Sequence, residues 1–210
     1  MPTLEQAKSW YAENDPVHGY DHIVRVYRMA DRLARAEGAD PEIVRAAALL
    51  HDAEGPFTSD ARAEHQLASA EYARQILAAE GWENDRIAAV QHCIRAHRFR
   101  DDREQPETIE AKVLFDADKL DAIGAIGAVR AIAYAVLDQQ HLFTEPSAQF
   151  LENWQKRPDE AHTPYHEYLF KLSKLKDRMF TSTGKALAQK RHDYLEGFFS
   201  QLHAELKAEV

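Results

Sequence analysis

Apolar positions along this chain recur at helical spacing almost from end to end. Ile23, Val26, Tyr27, Ala30, Leu33 and Ala34 fall on one face between Asp21 and Glu37. That pattern predicts an amphipathic helix with Asp21 as its cap and Gly38 as its stop. Pro41 suits a first helical position and opens a helix that runs through Ala46-Ala47-Ala48-Leu49-Leu50 to His51 or Asp52. Further helices are predicted over 61–80, stopped by Gly81, and from Arg86 to about His97, before a polar loop from Arg98 to Pro106. Thr108 can cap a helix carrying Ile109, Val113, Leu114 and Ala117, and the stretch from Ala122 to Leu137 makes another. Helices near 147–154, 165–176 and 184–207 follow, with the loop from Gln155 to Pro164 as the expected flexible insertion. No segment alternates long enough for a strand. The expected fold class is all-α, a helical bundle in a single domain over 1–210, with a core at about 18–138 and C-terminal helices at about 139–210.

Composition narrows the function classes. A chain of 210 residues with 45% apolar content can bury a substantial core. The N-terminal MPTLEQAKSWYAEND has no basic stretch followed by an apolar one, so it does not read as a signal peptide. The segment 122–137 contains Gly124, Gly127 and Arg130 and falls short of a membrane span. Cys93 is the only cysteine, which excludes an intrachain disulfide and a zinc–thiolate cluster. A net charge of -9 argues against a nucleic-acid polymer as partner, while a small phosphorylated substrate stays compatible with a local cluster of cations. These features make a cytoplasmic protein without a membrane partner the expectation, and a homo-oligomer is compatible with them.

The chemistry concentrates where the apolar run 46–50 ends in His51-Asp52. Two titratable side chains at the end of a buried segment are costly to desolvate unless something charged compensates them, and a divalent metal does so. His22 lies on a helix face with Val26, Met29 and Leu33, and Asp118 shares a face with Ala111, Leu114 and Asp121. Each alone reads as a satisfied core histidine or a structural carboxylate paired with Lys119 or Arg130. Taken together, one ion explains what would otherwise need several separate explanations. Phosphate loops are absent: no Gly-x-Gly-x-x-Gly occurs, and Gly184-Lys185 lacks the spaced glycine that would precede it.

The order His22, His51-Asp52, Asp118 resembles the HD-domain superfamily of metal-dependent phosphohydrolases. The stretches His22-x-x-Arg25-Val26, Leu49-Leu50-His51-Asp52, Asp116-Ala117-Asp118-Lys119-Leu120-Asp121-Ala122-Ile123-Gly124 and Thr181-x-x-Gly184-Lys185-x-Leu187-Ala188-x-x-Arg191-His192 resemble a predicted-phosphohydrolase branch of it. Carried over, the resemblance implies an HD-type helical bundle with His22, His51, Asp52 and Asp118 as metal ligands. Asp116 competes for the last place, and Asp118 is preferred because the family's ligand usually precedes a basic residue, here Lys119. His65, His92 and His97 follow in the order of binuclear members, which raises a second ion bridged by Asp52. Five helical residues separate His92 from His97 by about 500°, leaving them roughly 140° apart, so both reach one ion only if the helix ends between them. One ion is therefore expected rather than two, with His65, His92 and His97 contacting substrate phosphate.

The activity implied is hydrolysis of a phosphorylated small molecule, a nucleotide above all, by a phosphohydrolase or pyrophosphohydrolase using metal-activated water. Arg25 and Lys119 are candidate phosphate contacts. Asp52, Glu54, Lys119 and Asp121 are the candidate catalytic groups, Glu54 and Asp121 as acid or base. Two imidazoles disfavour magnesium or calcium and leave manganese, iron, cobalt, nickel or zinc. The alternatives are a nucleotide-binding regulatory protein without turnover and a hydrolase of a signalling nucleotide.

Overall fold

The computed structural model describes residues 1–11, 19–53, 65–98 and 104–210. Among them run α1 (Leu4–Lys8), α2 (Tyr20–Glu37), α3 (Pro41–Leu50), α4 (His65–Ala79), α5 (Asn84–Ala96), α6 (Ile109–Asp121), α7 (Gly124–Leu137), α8 (Ala148–Asn153), α9 (Pro164–Phe170) and α10 (Ser182–Leu206). A 3-10 segment, Leu172–Arg178, lies between α9 and α10. No strand occurs among the described residues, and the all-α class expected from the pattern is the class observed. No single described helix is long and apolar enough to cross a membrane. The chain divides into two compact units, Met1–Lys119 with Met179–Gly184, and Leu120–Arg178 with Lys185–Val210.

The first unit is built around α3, which packs against α2, α4 and α5. Neighbours on several sides require apolar residues on several sides, and Val44, Ala46, Ala47, Ala48, Leu49 and Leu50 are all buried. A fully buried leucine such as Leu33, Leu49 or Leu50 contributes roughly 1.5–3 kcal/mol over an exposed one. The start of α3 is fixed by Asp40, whose Oδ1 accepts from the Glu42 and Ile43 amides, with Pro41 in the first turn. The cap predicted for α2 falls elsewhere. Gly19 is the cap residue and makes no side-chain bond, while Asp21 sits in the first turn, where its charge complements the helix dipole. Gly38 closes α2 in the left-handed region at φ 72°. The short α1 lies ahead of the first predicted helix; a capping box between Thr3 and Gln6 holds it.

In the second unit the helix expected over 122–137 begins at Gly124, with Ile123 as its cap residue. A Cβ on Gly127 would lie 2.3 Å from the Ala122 carbonyl oxygen, so the glycine permits the close turn there. The helix expected over 165–176 is shorter: α9 stops at Phe170 and the chain tightens into the 3-10 segment. The loop at 155–163 is tied down by Glu160, which accepts from the Ser147 amide and hydroxyl and the Arg157 amide. The fully buried His166 adds an Nε2 contact to Glu160 at 3.1 Å and an Nδ1 contact to the Thr163 hydroxyl at 2.8 Å. Tyr168 stacks on Phe199 of α10, with ring centroids 4.5 Å apart.

This cluster makes the second unit acid-sensitive. Burial lowers the His166 pKa from 6.5, and the nearby His162 and Lys156 charges lower it further against the pull of Glu160. The unfolded chain thus takes up a proton that the folded ring resists, and stability falls as pH drops below about 6.5. The bonds from Ser147 and Arg157 hold Glu160 down at about 2, against 4.5 unfolded, so a second loss begins near 4.5. Thermal unfolding should show a lower melting temperature at about pH 5.5 than at about pH 7.5, and His166→Gln should flatten that part of the dependence.

Candidate metal centre

Three helices deliver side chains to one buried region of the first unit. His22 projects from the first turn of α2, and His51 and Asp52 follow the last residue of α3. Their ligand atoms lie within 4.8 Å of one another. Asp118, near the end of α6, places Oδ1 3.5 Å from His22 Nε2. A second group shares Asp52: its Oδ1 lies 3.2 Å from His65 Nε2 and 3.6 Å from His97 Nε2. The imidazoles of His22, His51, His97 and His65 form a continuous chain of rings, with successive centroids 5.6, 5.2 and 5.4 Å apart.

The tautomers follow from backbone geometry. His51 Nδ1 is 2.9 Å from the Ala48 carbonyl, and His97 Nδ1 is 2.5 Å from the Ile94 carbonyl. Each nitrogen donates to an oxygen three residues back, so each ring carries its lone pair on Nε2, facing Asp52. Burial pushes the His51 pKa down to about 4, so this ring is a neutral base at pH 7. Burial alone would raise the Asp52 carboxyl, yet the His51 ring and contacts from His65 and His97 hold it well below the usual range. Asp118 is likewise held down, by Lys119 and then His22, against the effect of burial. Two carboxylates face one ammonium, leaving a net negative charge beside the neutral His51 ring. His51 Nε2 is buried without a hydrogen-bond partner, and the buried Asp52 Oδ1 is met only by the ring nitrogens of His65 and His97. Orphaned acceptors around excess negative charge are what a divalent cation satisfies, so the chemistry of these residues fits such an ion.

The remaining predicted site residues are distributed unevenly. Lys119 is buried, 2.5 Å from Asp118 Oδ2 and over the Phe115 ring. Arg25 is half-buried, one turn beyond His22 on α2. His92 is engaged elsewhere, with Nδ1 2.7 Å from Glu104 and Nε2 accepting from the Glu107 amide at 3.1 Å. Because α5 runs unbroken to Ala96, His92 and His97 diverge as the helical rotation requires. Asp121 accepts from Arg130 at 3.0 Å. Glu54 lies outside the described residues.

Asp116 points away from the histidines. Its carboxylate accepts from the Phe180 amide, the Thr181 amide and the Thr181 hydroxyl at 2.6–2.9 Å. Gly184 packs so closely that a Cβ there would stand 2.2 Å from Asp116 Oδ2. Two residues on a helix differ by about 200°, which is why two acids in one short motif serve opposite faces. Tyr11, which no sequence pattern singles out, is also close: its hydroxyl donates to the Leu49 carbonyl at 2.7 Å. Asp116→Ala should destabilise the fold by about 2 kcal/mol or more by orphaning buried donors, yet retain metal per folded chain, whereas Asp118→Ala should lose it. Denaturant unfolding and metal analysis of the two variants check this.

Comparison with known proteins identifies relatives of the whole chain. The HD domain family matches residues 19–123. The uncharacterized protein YpgQ of Bacillus subtilis is 31% identical over 98% of this chain and 95% of its own length. Its crystal structure in complex with ADP superposes with a TM-score of 0.73 at 28% identity, covering 97% of each chain. An HD-superfamily hydrolase from Bacillus thuringiensis gives 0.72 at 30% identity, covering 98% of this chain and 95% of its own. By sequence and by fold, the chain belongs to the HD-domain superfamily.

Proposed function

We propose that this chain is a metal-dependent phosphohydrolase acting on a nucleotide, with one divalent transition-metal ion held by His22, His51, Asp52 and Asp118. The observation that carries this reading is the buried, net-negative set of acceptors centred on His51 Nε2 and Asp52 Oδ1. ADP bound to YpgQ supports a nucleotide as the substrate class. An ion held by these four residues would supply Lewis acidity toward water and phosphate oxygens.

The chain's own residues supply the rest. Lys119 and Arg25 bring positive charge for phosphate oxygens. His65 and His97, whose Nε2 atoms lie 3.2 and 3.6 Å from Asp52 Oδ1, stand beside that centre to contact the substrate phosphate. Asp121 is committed to Arg130, and we assign it no acid–base role. A second reading places another ion between Asp52, His65 and His97, because these three also bring their ligand atoms within 4.8 Å. Manganese, iron, cobalt, nickel and zinc suit this donor set better than magnesium.

The test is a panel of nucleoside mono-, di- and triphosphates and generic phosphoesters, run with each of these ions and resolved by phosphate against pyrophosphate release. His51→Ala and Asp52→Ala should lower hydrolysis more than about 100-fold and lose metal. Nucleotide-induced thermal shifts with no product from any substrate would favour a regulatory binding protein. Metal content of one or two per chain separates the two metal readings.

A further inference from the structure

The sequence places a stop beyond α3 at Gly55-Pro56, which by itself would let the helix run on through Ala53. Leu50-His51-Asp52-Ala53 contains neither glycine nor proline, and His51 keeps helical dihedrals at φ -64° and ψ -29°. The helix nevertheless ends there. In a continued α-helix the Leu49 carbonyl would accept from the Ala53 amide. Instead the Ala53 amide bonds the Leu50 carbonyl at 3.3 Å, a three-residue turn, and the Leu49 carbonyl takes the Tyr11 hydroxyl at 2.7 Å. The preceding carbonyl, that of Ala48, takes His51 Nδ1. A side chain 38 residues earlier thus occupies the acceptor that would otherwise prolong α3 through Asp52.

Tyr11 is itself firmly placed. Its ring is buried with Ala7, Ile23 and Leu49, against Leu4, Trp10, Tyr20, Tyr27 and Ala53. The neighbouring Trp10 packs edge-on against Tyr72 of α4, the helix that begins with His65, with ring centroids 6.0 Å apart. The N-terminal segment therefore touches two of the helices that present candidate ligands, α3 and α4.

We infer that Tyr11 is a positioning residue for the metal pair: its hydroxyl, by claiming the Leu49 carbonyl, sets where α3 ends and so aims His51 and Asp52 at their common centre. Inserted at the end of the helical ladder, the hydroxyl draws the Leu49 carbonyl out of line with the Ala53 amide; without it the carbonyl realigns on that amide, the turn relaxes toward α-helix, and the Asp52 carboxylate swings out of register. This inference rests on the metal reading proposed above and deepens it.

The test compares Tyr11→Phe with Tyr20→Phe in the full chain. Tyr20 makes a similar bond, hydroxyl to Leu4 carbonyl at 2.8 Å, but holds no part of α3's end. Mn²⁺ affinity by calorimetric titration and the visible absorption spectrum of the Co²⁺-loaded protein are the readouts, with metal-free thermal unfolding to confirm that both variants fold. Tyr11→Phe should bind Mn²⁺ about tenfold more weakly and alter the Co²⁺ spectrum, while Tyr20→Phe matches the wild type in both. Unchanged affinity and spectrum in Tyr11→Phe would overturn the inference. Equal weakening in both variants would also overturn it, since general loosening of the N-terminal segment would then suffice. Wild-type protein that binds neither ion would instead bring down the metal reading, and this inference with it.

Discussion

Everything around the site depends on keeping the Asp52 carboxylate ionised in a place with little water. An isolated buried carboxylate is costly enough that it would ordinarily take up a proton. Here three imidazole rings converge on it, those of His51, His65 and His97. Their own orientations are dictated by backbone carbonyls one helical turn earlier for His51 and His97. His51 and His97 turn their lone pairs toward the carboxylate, so its charge is not cancelled. The fold thus stores an electrostatic demand that a dication meets, and the helices around α3 are the framework that holds this demand in place.

The same framework explains how a few residues are given separate duties. Asp116 and Asp118 stand two positions apart on α6, so one faces the histidines while the other secures the backbone at 180–181. His92 and His97 divide similarly on α5: one secures Glu104 and the Glu107 amide, the other faces Asp52. In both cases helical rotation separates residues that look equivalent in the sequence.

The apolar run ending in His51-Asp52 makes the heart of the site legible, because a buried helix that terminates in two polar groups is hard to explain otherwise. Helical class follows from spacing alone, since nearly every segment repeats its apolar residues on one face. What cannot be read are the features made by distant partners. Tyr11 carries no periodic or motif signal, and its role emerges only when the end of α3 is seen against it. The clamp on Asp116 needs the position of residues 64 and 65 places later. The break before α7 depends on the close approach of Gly127 to the Ala122 carbonyl, and the shortened α9 on a local tightening that spacing does not encode. His92 looks like a site residue because the family order includes it, while its actual neighbours lie in a loop whose path the sequence leaves open.

The clamp on Asp116 also bears on how the protein is made. The unit that carries the histidines draws on residues 179–184, which are synthesised long after α2 to α6. Contacts of such sequence separation are slow to form, and a nascent chain emerges at only about 5–20 residues per second. For several seconds α6 must therefore leave the ribosome with its buried carboxylate unanswered, until the Thr181 segment arrives to seal it. A chain interrupted before that point would hold all of its candidate ligands yet lack the closure that keeps α6 in place, a natural target for chaperone or protease.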